Sequence, residues 1–161
     1  MYRAIERLYH EYNYIRKTGI LFPISGSAGP INKTDMFHWK ACFKGPIGSP
    51  YEDGIYFIEM KFSPDYPNQR PDIQMRTPIY HPNINPHNGH ICNSYLNEWK
   101  PTNNIEGIIK ATFVLLAEPN YDSPYGNMRM NIEKVIEFKN EYANENQKYD
   151  WNNSWNKGWR I

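Results

Sequence analysis

A chain of 161 residues with 40% hydrophobic and 16% aromatic side chains can bury one real core and is too short for two. Its 18 basic and 17 acidic residues nearly cancel, which argues against nucleic acid or an anionic membrane as a partner drawn by a summed field. The charged N-terminal run MYRAIERLYHEYNYI lacks the apolar stretch of a secretory signal, and no later run approaches the roughly 20 apolar residues of a membrane span. Cys42 and Cys92 sit in very different local sequence, so free thiols in a reducing compartment, cytosol or nucleus, are expected. A mixed surface without large apolar patches fits a monomer.

Leu8, Tyr12 and Ile15 recur at helical spacing among Arg7, His10, Glu11 and Arg16, which predicts an amphipathic N-terminal helix of about three to four turns ended by Gly19. Three aromatic and β-branched runs follow, ILFPISGSAGP, DMFHWKACFKG and GIYFIEMKF, separated by turn residues at hairpin-like intervals. With Asp72 to Arg76 as a fourth, edge strand behind Pro67 and Pro71, they read as an antiparallel meander. In the second run Cys42 is expected to be a small buried hydrophobe, and Phe37, His38 and Trp39 packing residues. From Thr77 to Asn104 the chain is rich in Pro, Asn, His and Gly with little period, a loop length that is usually functional or disordered.

A central buried helix is predicted from Ile105, Ile108, Ile109, Thr112, Phe113, Leu115 and Leu116, capped by Asn103 or Asn104 and stopped by Pro119. Ile132, Val135, Ile136 and Tyr142 mark one or two further helices between Met128 and Tyr149. Trp151, Trp155 and Trp159 would share a stripe if the tail were helical, either docking onto the domain or meeting a partner.

The long irregular stretch carries Tyr80, His81, Pro82 and Asn83, then Cys92, Trp99 and Pro101. IYHPNIN, a Gly shortly before Ile91-Cys92, a Leu four residues after it, Trp99 and Pro101 resemble the active-site signature of ubiquitin-conjugating enzymes. Ser27-Ala28-Gly29-Pro30, DMFHW, Gly45-Pro46, Ser49-Pro50-Tyr51, Asp65-Tyr66-Pro67, Leu115-Leu116, Pro119-Asn120 and Pro124 follow the family's order. The resemblance implies an α/β (α+β) catalytic core over residues 1–148 with a short Trp-rich tail at 149–161. It implies that Cys92 accepts ubiquitin as a thioester from the activating enzyme and passes it to substrate lysine, usually with a RING-type ligase.

A thiol suits that chemistry, because a thioester stays reactive toward an amine where a serine ester would be more inert. Asn83 is expected to donate to the carbonyl oxygen as it becomes negative, or to brace the loop, or both. Tyr80, His81, Pro82, Ser94 and Ser123 would support the loop. Ser94 and Ser123 stand where many members carry acidic residues, so Asp122 is expected to help the lysine lose its proton. The Asn83 to Cys92 loop is one residue longer than in common members and the Cys92 to Trp99 segment one shorter.

Arg3, Arg7 and Arg16 could meet the activating enzyme. Arg7, Pro67, Asn68 and Pro101 fall on the family's ligase-binding surface, with Asn68 where many members place an aromatic anchor. Ser27 marks either a second, noncovalent ubiquitin site or an exposed strand serine. His81, His87, His90 and Cys92 match no common zinc spacing, so no metal and no cofactor is expected. His90 as the base of a cysteine protease is set aside, because adjacent chain residues rarely point together and no separate His with an orienting Asn or Asp is evident. A noncatalytic ubiquitin-binding scaffold of the same fold, and a carrier of a ubiquitin-like modifier, are the alternatives.

Overall fold

A computed structural model describes residues 2–20 and 24–145. Helix α1, Tyr2–Thr18, buries Ala4, Leu8, Glu11 and Ile15, a stripe at helical spacing. It runs longer than the expected three to four turns and ends as predicted: Gly19 adopts φ 73° and its N–H reaches the Ile15 carbonyl at 2.8 Å.

Four strands follow, β1 Gly26–Asn32, β2 Asp35–Lys44, β3 Ile55–Lys61 and β4 Asp72–Met75, paired antiparallel in sequence order. The predicted meander is present, although its first strand starts later than the run ILFPISGSAGP suggests. Register places Trp39 opposite Met60, Ala41 opposite Ile58 and Phe43 opposite Tyr56, so the buried residues of β2 and β3 share one face. Trp39 is fully buried, sits edge-on between Tyr12 and Phe62, and donates its indole N–H to the Met36 carbonyl at 2.7 Å.

The alternate face of β2 departs from expectation. Cys42 is half-buried there and lies 3.6 Å from the Ser27 hydroxyl; it is not a core residue. His38, expected to pack, instead pairs with the buried carboxylate of Glu59, which Arg76 also approaches at 3.3 Å. Pairing to cations is what lets an acidic side chain lie that deep in a sheet.

The stretch expected to be irregular contains a one-turn helix, α2, Ser94–Asn97, capped by Asn93 accepting from the Leu96 N–H at 2.9 Å. Helix α3, Ile105–Ala117, buries Ile105, Ile108, Ile109, Thr112, Leu115 and Leu116 and is capped by Asn104 through the Gly107 N–H at 2.8 Å. It closes two residues before Pro119. The Tyr95 hydroxyl would collide with any Cβ at Gly107, so this glycine lets α2 pack against α3.

Helix α4, Ile132–Tyr142, starts from an Asn131 cap. Its predicted apolar face is only partly used: Val135 is buried, whereas Ile132 and Ile136 are exposed. The expected extension to Tyr149, the 148/149 boundary and Trp151, Trp155 and Trp159 lie outside the described residues. Among the described residues no helix is long and apolar enough to cross a membrane.

Glu11, expected on the polar side of α1, is instead a buried junction. Its carboxylate accepts from Arg7 Nε at 2.6 Å, the Tyr66 hydroxyl at 2.7 Å and the Ile105 N–H at 2.8 Å. The last bond places negative charge at the N-terminus of α3, where the helix dipole favours it. Glu11→Ala leaves two buried donors without an acceptor and is expected to lower unfolding free energy by about 3 kcal/mol. Glu11→Gln, which keeps one acceptor, should lose less, and urea denaturation of both variants measures the difference.

Candidate active site

Between β4 and α3 the chain is held by hydrogen bonds rather than by a ladder. Tyr80 accepts the Tyr51 hydroxyl at its carbonyl (2.7 Å) and donates its own hydroxyl to the Arg129 carbonyl (2.9 Å). His81 is fully buried; its Nε2–H donates to the Leu115 carbonyl at 2.8 Å, and its Nδ1 accepts the Asn83 N–H at 2.9 Å. Both ring nitrogens are committed to the protein, which fixes a neutral tautomer and leaves neither for a metal. Burial lowers its pKa from 6.5 to about 4, against the smaller opposing pull of the Leu115 carbonyl.

Asn83 is 1% exposed and joins two distant segments. Its amide oxygen accepts the Asn120 N–H at 2.8 Å, and its amide nitrogen donates to the Asn120 carbonyl at 2.7 Å and the Ser123 carbonyl at 3.1 Å. Its own carbonyl accepts the Cys92 N–H at 3.0 Å. The loop between them closes in a turn in which the Asn85 N–H reaches the His90 carbonyl at 2.9 Å and Gly89 adopts φ 72°.

Cys92 is half-buried at an open cleft of about 630 Å³ between the Asn83 turn, α2 and α3. Ser94 and Ser123, two of the predicted support residues, line it with Asn83. Pro82 is buried and its carbonyl accepts the Tyr125 N–H at 2.8 Å. Asp122 is exposed and does not line the cleft; its N–H is turned back onto the Asn120 side chain at 3.0 Å. The carboxylates on the wall are Glu98, just after α2, and Glu118, just after α3, with Lys110 in the middle of α3. Sequence reasoning also missed Asn97, whose amide nitrogen lies 3.6 Å from the Cys92 sulfur. Its only sequence signal was the Asn93 cap, because one helical turn shows no period.

The expected ligase-binding residues gather elsewhere. Trp99 donates to the Pro67 carbonyl at 2.7 Å, and Arg7 reaches the Asn103 carbonyl at 3.0 Å and the Pro101 carbonyl at 3.5 Å. Part of the Arg7 guanidinium is thus bound within the chain. Asn68 is exposed beside Pro67, with its N–H on the Asp65 carbonyl at 2.8 Å. Ser27 is exposed on β1, away from the thiol cleft.

A family model described as ubiquitin-conjugating enzyme matches residues 7–150. The chain belongs to that family. Among solved structures, it is similar to a crystal structure from Plasmodium yoelii described as a candidate ubiquitin conjugating enzyme. That likeness has 28% identity and a TM-score of 0.77, and covers 88% of this chain and 96% of the other. The ubiquitin-conjugating family is broadly one of transferases in ubiquitin-type conjugation, working with ubiquitin, activating enzymes and ligases, and some of its members are noncatalytic.

The His81 tautomer sets a pH dependence. An unfolded histidine takes a proton near 6.5 and His81 only near 4, so between these values the unfolded state binds more protons. Stability from the neutral ring is complete above pH 6.5 and falls as pH drops toward 4, by on the order of 3 kcal/mol. Urea denaturation across that range should show the acid loss. His81→Asn should be less stable at neutral pH, with a shallower acid slope.

Proposed function

We propose that this protein carries ubiquitin, or a ubiquitin-like modifier, as a thioester on Cys92 and passes it to the amine of a substrate lysine. The observation that carries this reading is the setting of Cys92 in an open cleft, its backbone pinned to an asparagine turn, in a chain of the ubiquitin-conjugating family. Cys42 has no such setting, since it faces out from the sheet beside Ser27. A sulfur held at the cleft can attack an incoming thioester, hold the acyl group at similar energy and release it to nitrogen.

Asn83 acts here as the brace. Both of its amide hydrogens are already given to main-chain carbonyls, so donating to a developing oxyanion requires release of the Asn120 or Ser123 carbonyl. Asp122, at the rim beside Ser123, contributes negative charge to the approaching lysine rather than direct contact. The surface that Trp99 and Arg7 knit from α1, Pro67 and Pro101 receives the ligase. With Asn68 in place of an aromatic anchor, the ligase set differs from that of common members. The protein works as a monomer in cytoplasm or nucleus.

A noncatalytic scaffold is the second reading, favoured by the serines at positions 94 and 123 and by Asn68. Incubation with activating enzyme, ATP and ubiquitin or a panel of ubiquitin-like modifiers separates the two. A thiol-sensitive adduct on a nonreducing gel is expected with the wild type and Cys42→Ala and not with Cys92→Ala. No adduct from folded protein with any modifier sinks the carrier reading in favour of the scaffold. Asn83→Ala should lower thermal stability and discharge together, because it removes three buried hydrogen bonds. Slower discharge at unchanged stability would instead support the oxyanion role, and both are measurable on the same preparation.

A further inference from the structure

The cleft carries serines at positions 94 and 123, and beside Cys92, outside the cleft lining, stands a proton-accepting group that neither the family match nor the proposed roles above use. Isolated bridges join Gln74 with His90 and Ile84 with Ile91, making residues 90–92 a short extended segment. Ile91 is fully buried, so the two-residue period of extended chain puts His90 and Cys92 on the opposite side together; both are half-buried. The expectation that adjacent residues rarely point together does not bear on this pair, because His90 and Cys92 are next-but-one neighbours.

His90 also has an orienting partner. The Tyr125 hydroxyl lies 2.6 Å from His90 Nδ1, and the rings meet edge-on with centroids 6.5 Å apart. Tyr125 is placed by the same braces that shape the cleft, since its N–H binds the Pro82 carbonyl at 2.8 Å and Asn83 ties down residues 120 and 123 just before it. Burial raises the Tyr125 pKa, the nearby charge of Cys92 adds to the rise, and Arg70 opposes it. Tyr125 therefore keeps its proton at neutral pH, donates it to His90 Nδ1, and retains lone-pair capacity on oxygen for a further donor.

We propose that the Tyr125–His90 pair accepts the proton of the lysine amine that attacks a Cys92 thioester, an inference that rests on the carrier reading above. The neutral amine adds to the thioester carbonyl carbon, forming the C–N bond. Its N–H proton passes to Tyr125 Oη while the Tyr125 proton passes to His90 Nδ1. The C–S bond then breaks, its electron pair leaves on the Cys92 sulfur, and the imidazolium returns its proton to that thiolate or to water. A phenol and an imidazole in series thus take the place of a carboxylate as proton acceptor.

The test is single-turnover discharge of the loaded thioester to free lysine across pH, for wild type, Tyr125→Phe and His90→Asn, each rate normalised to its own loaded fraction. Facing the pair are Cys92, acylated and so not titrating, and the Arg70 guanidinium. Glu98, Glu118 and Lys110 line the cleft and are common to all three proteins.

Both variants are expected to discharge about tenfold or more slowly. Wild-type log rate should climb more steeply with pH at the acid end than at the alkaline end, with a change of slope between them, since both the lysine amine and the accepting pair must be free to take part. In His90→Asn the slope should be about one throughout. A merely structural role would lower the rate without removing that change of slope. Wild-type rates and slopes in both loaded variants overturn the assignment. Should His90→Asn not fold, Tyr125→Phe, which keeps the ring contact and removes only the hydroxyl, decides by its rate and slope. Absence of any wild-type thioester overturns the carrier reading and this inference with it, whereas a thioester discharged equally by all three overturns this inference alone.

Discussion

The geometry around the thiol hangs on one buried amide. Asn83 gives its side-chain hydrogens to the Asn120 and Ser123 carbonyls, takes the Asn120 N–H on its oxygen, and takes the Cys92 N–H on its carbonyl. The Asn83 side chain is itself 1% exposed, so its amide is expensive to leave unpaired. His81 behind it fixes the turn from the core side. The cleft is therefore a joint between segments far apart in sequence, and its shape depends on polar bonds rather than on a sheet edge.

That joint separates the side chains of the cleft wall from the bonds that hold the architecture. The side chains of Ser94 and Ser123 line the cleft, but neither side chain carries the braces, which run through the Asn120 and Ser123 carbonyls and the Asn83 amide. Chemistry on the wall can drift while the frame stays, as expected where function sits in a site grafted onto a fold. The loop before Cys92 likewise closes in a turn at residues 85–90, and the Asn83 to Cys92 bond spans it.

Most of the frame was legible because its signals are local. Alternation exposed β2 and β3, the spacing of Ile105, Ile108, Ile109, Thr112 and Leu116 exposed α3, and Gly19 marked the end of α1. What stayed hidden depends on partners remote in sequence. Glu11 reads as a surface acid until Tyr66 and Ile105 are folded against it, and His38 reads as packing until β3 brings Glu59 diagonally across from it. A turn as short as α2 offers one buried residue, Leu96, and no period to recognise. At the site, the motif pointed to Cys92 and Asn83, while the nearness of Tyr125 and Asn97 required the fold.

Helix α3 is gripped at both ends by side chains from outside it. Glu11 takes the free N–H of Ile105 at its start, and His81 binds the otherwise unpaired Leu115 carbonyl in its last turn. The 13 residues of α3 correspond to a strut of about 20 Å. It behaves as a ruler between α1 and the turn that carries Asn83. One residue inserted into it would rotate everything beyond by about 100°, so one of the two grips would have to let go. The separation between the face of α1 and the thiol is thus written into a helix length, and that length is among the least negotiable features of the chain.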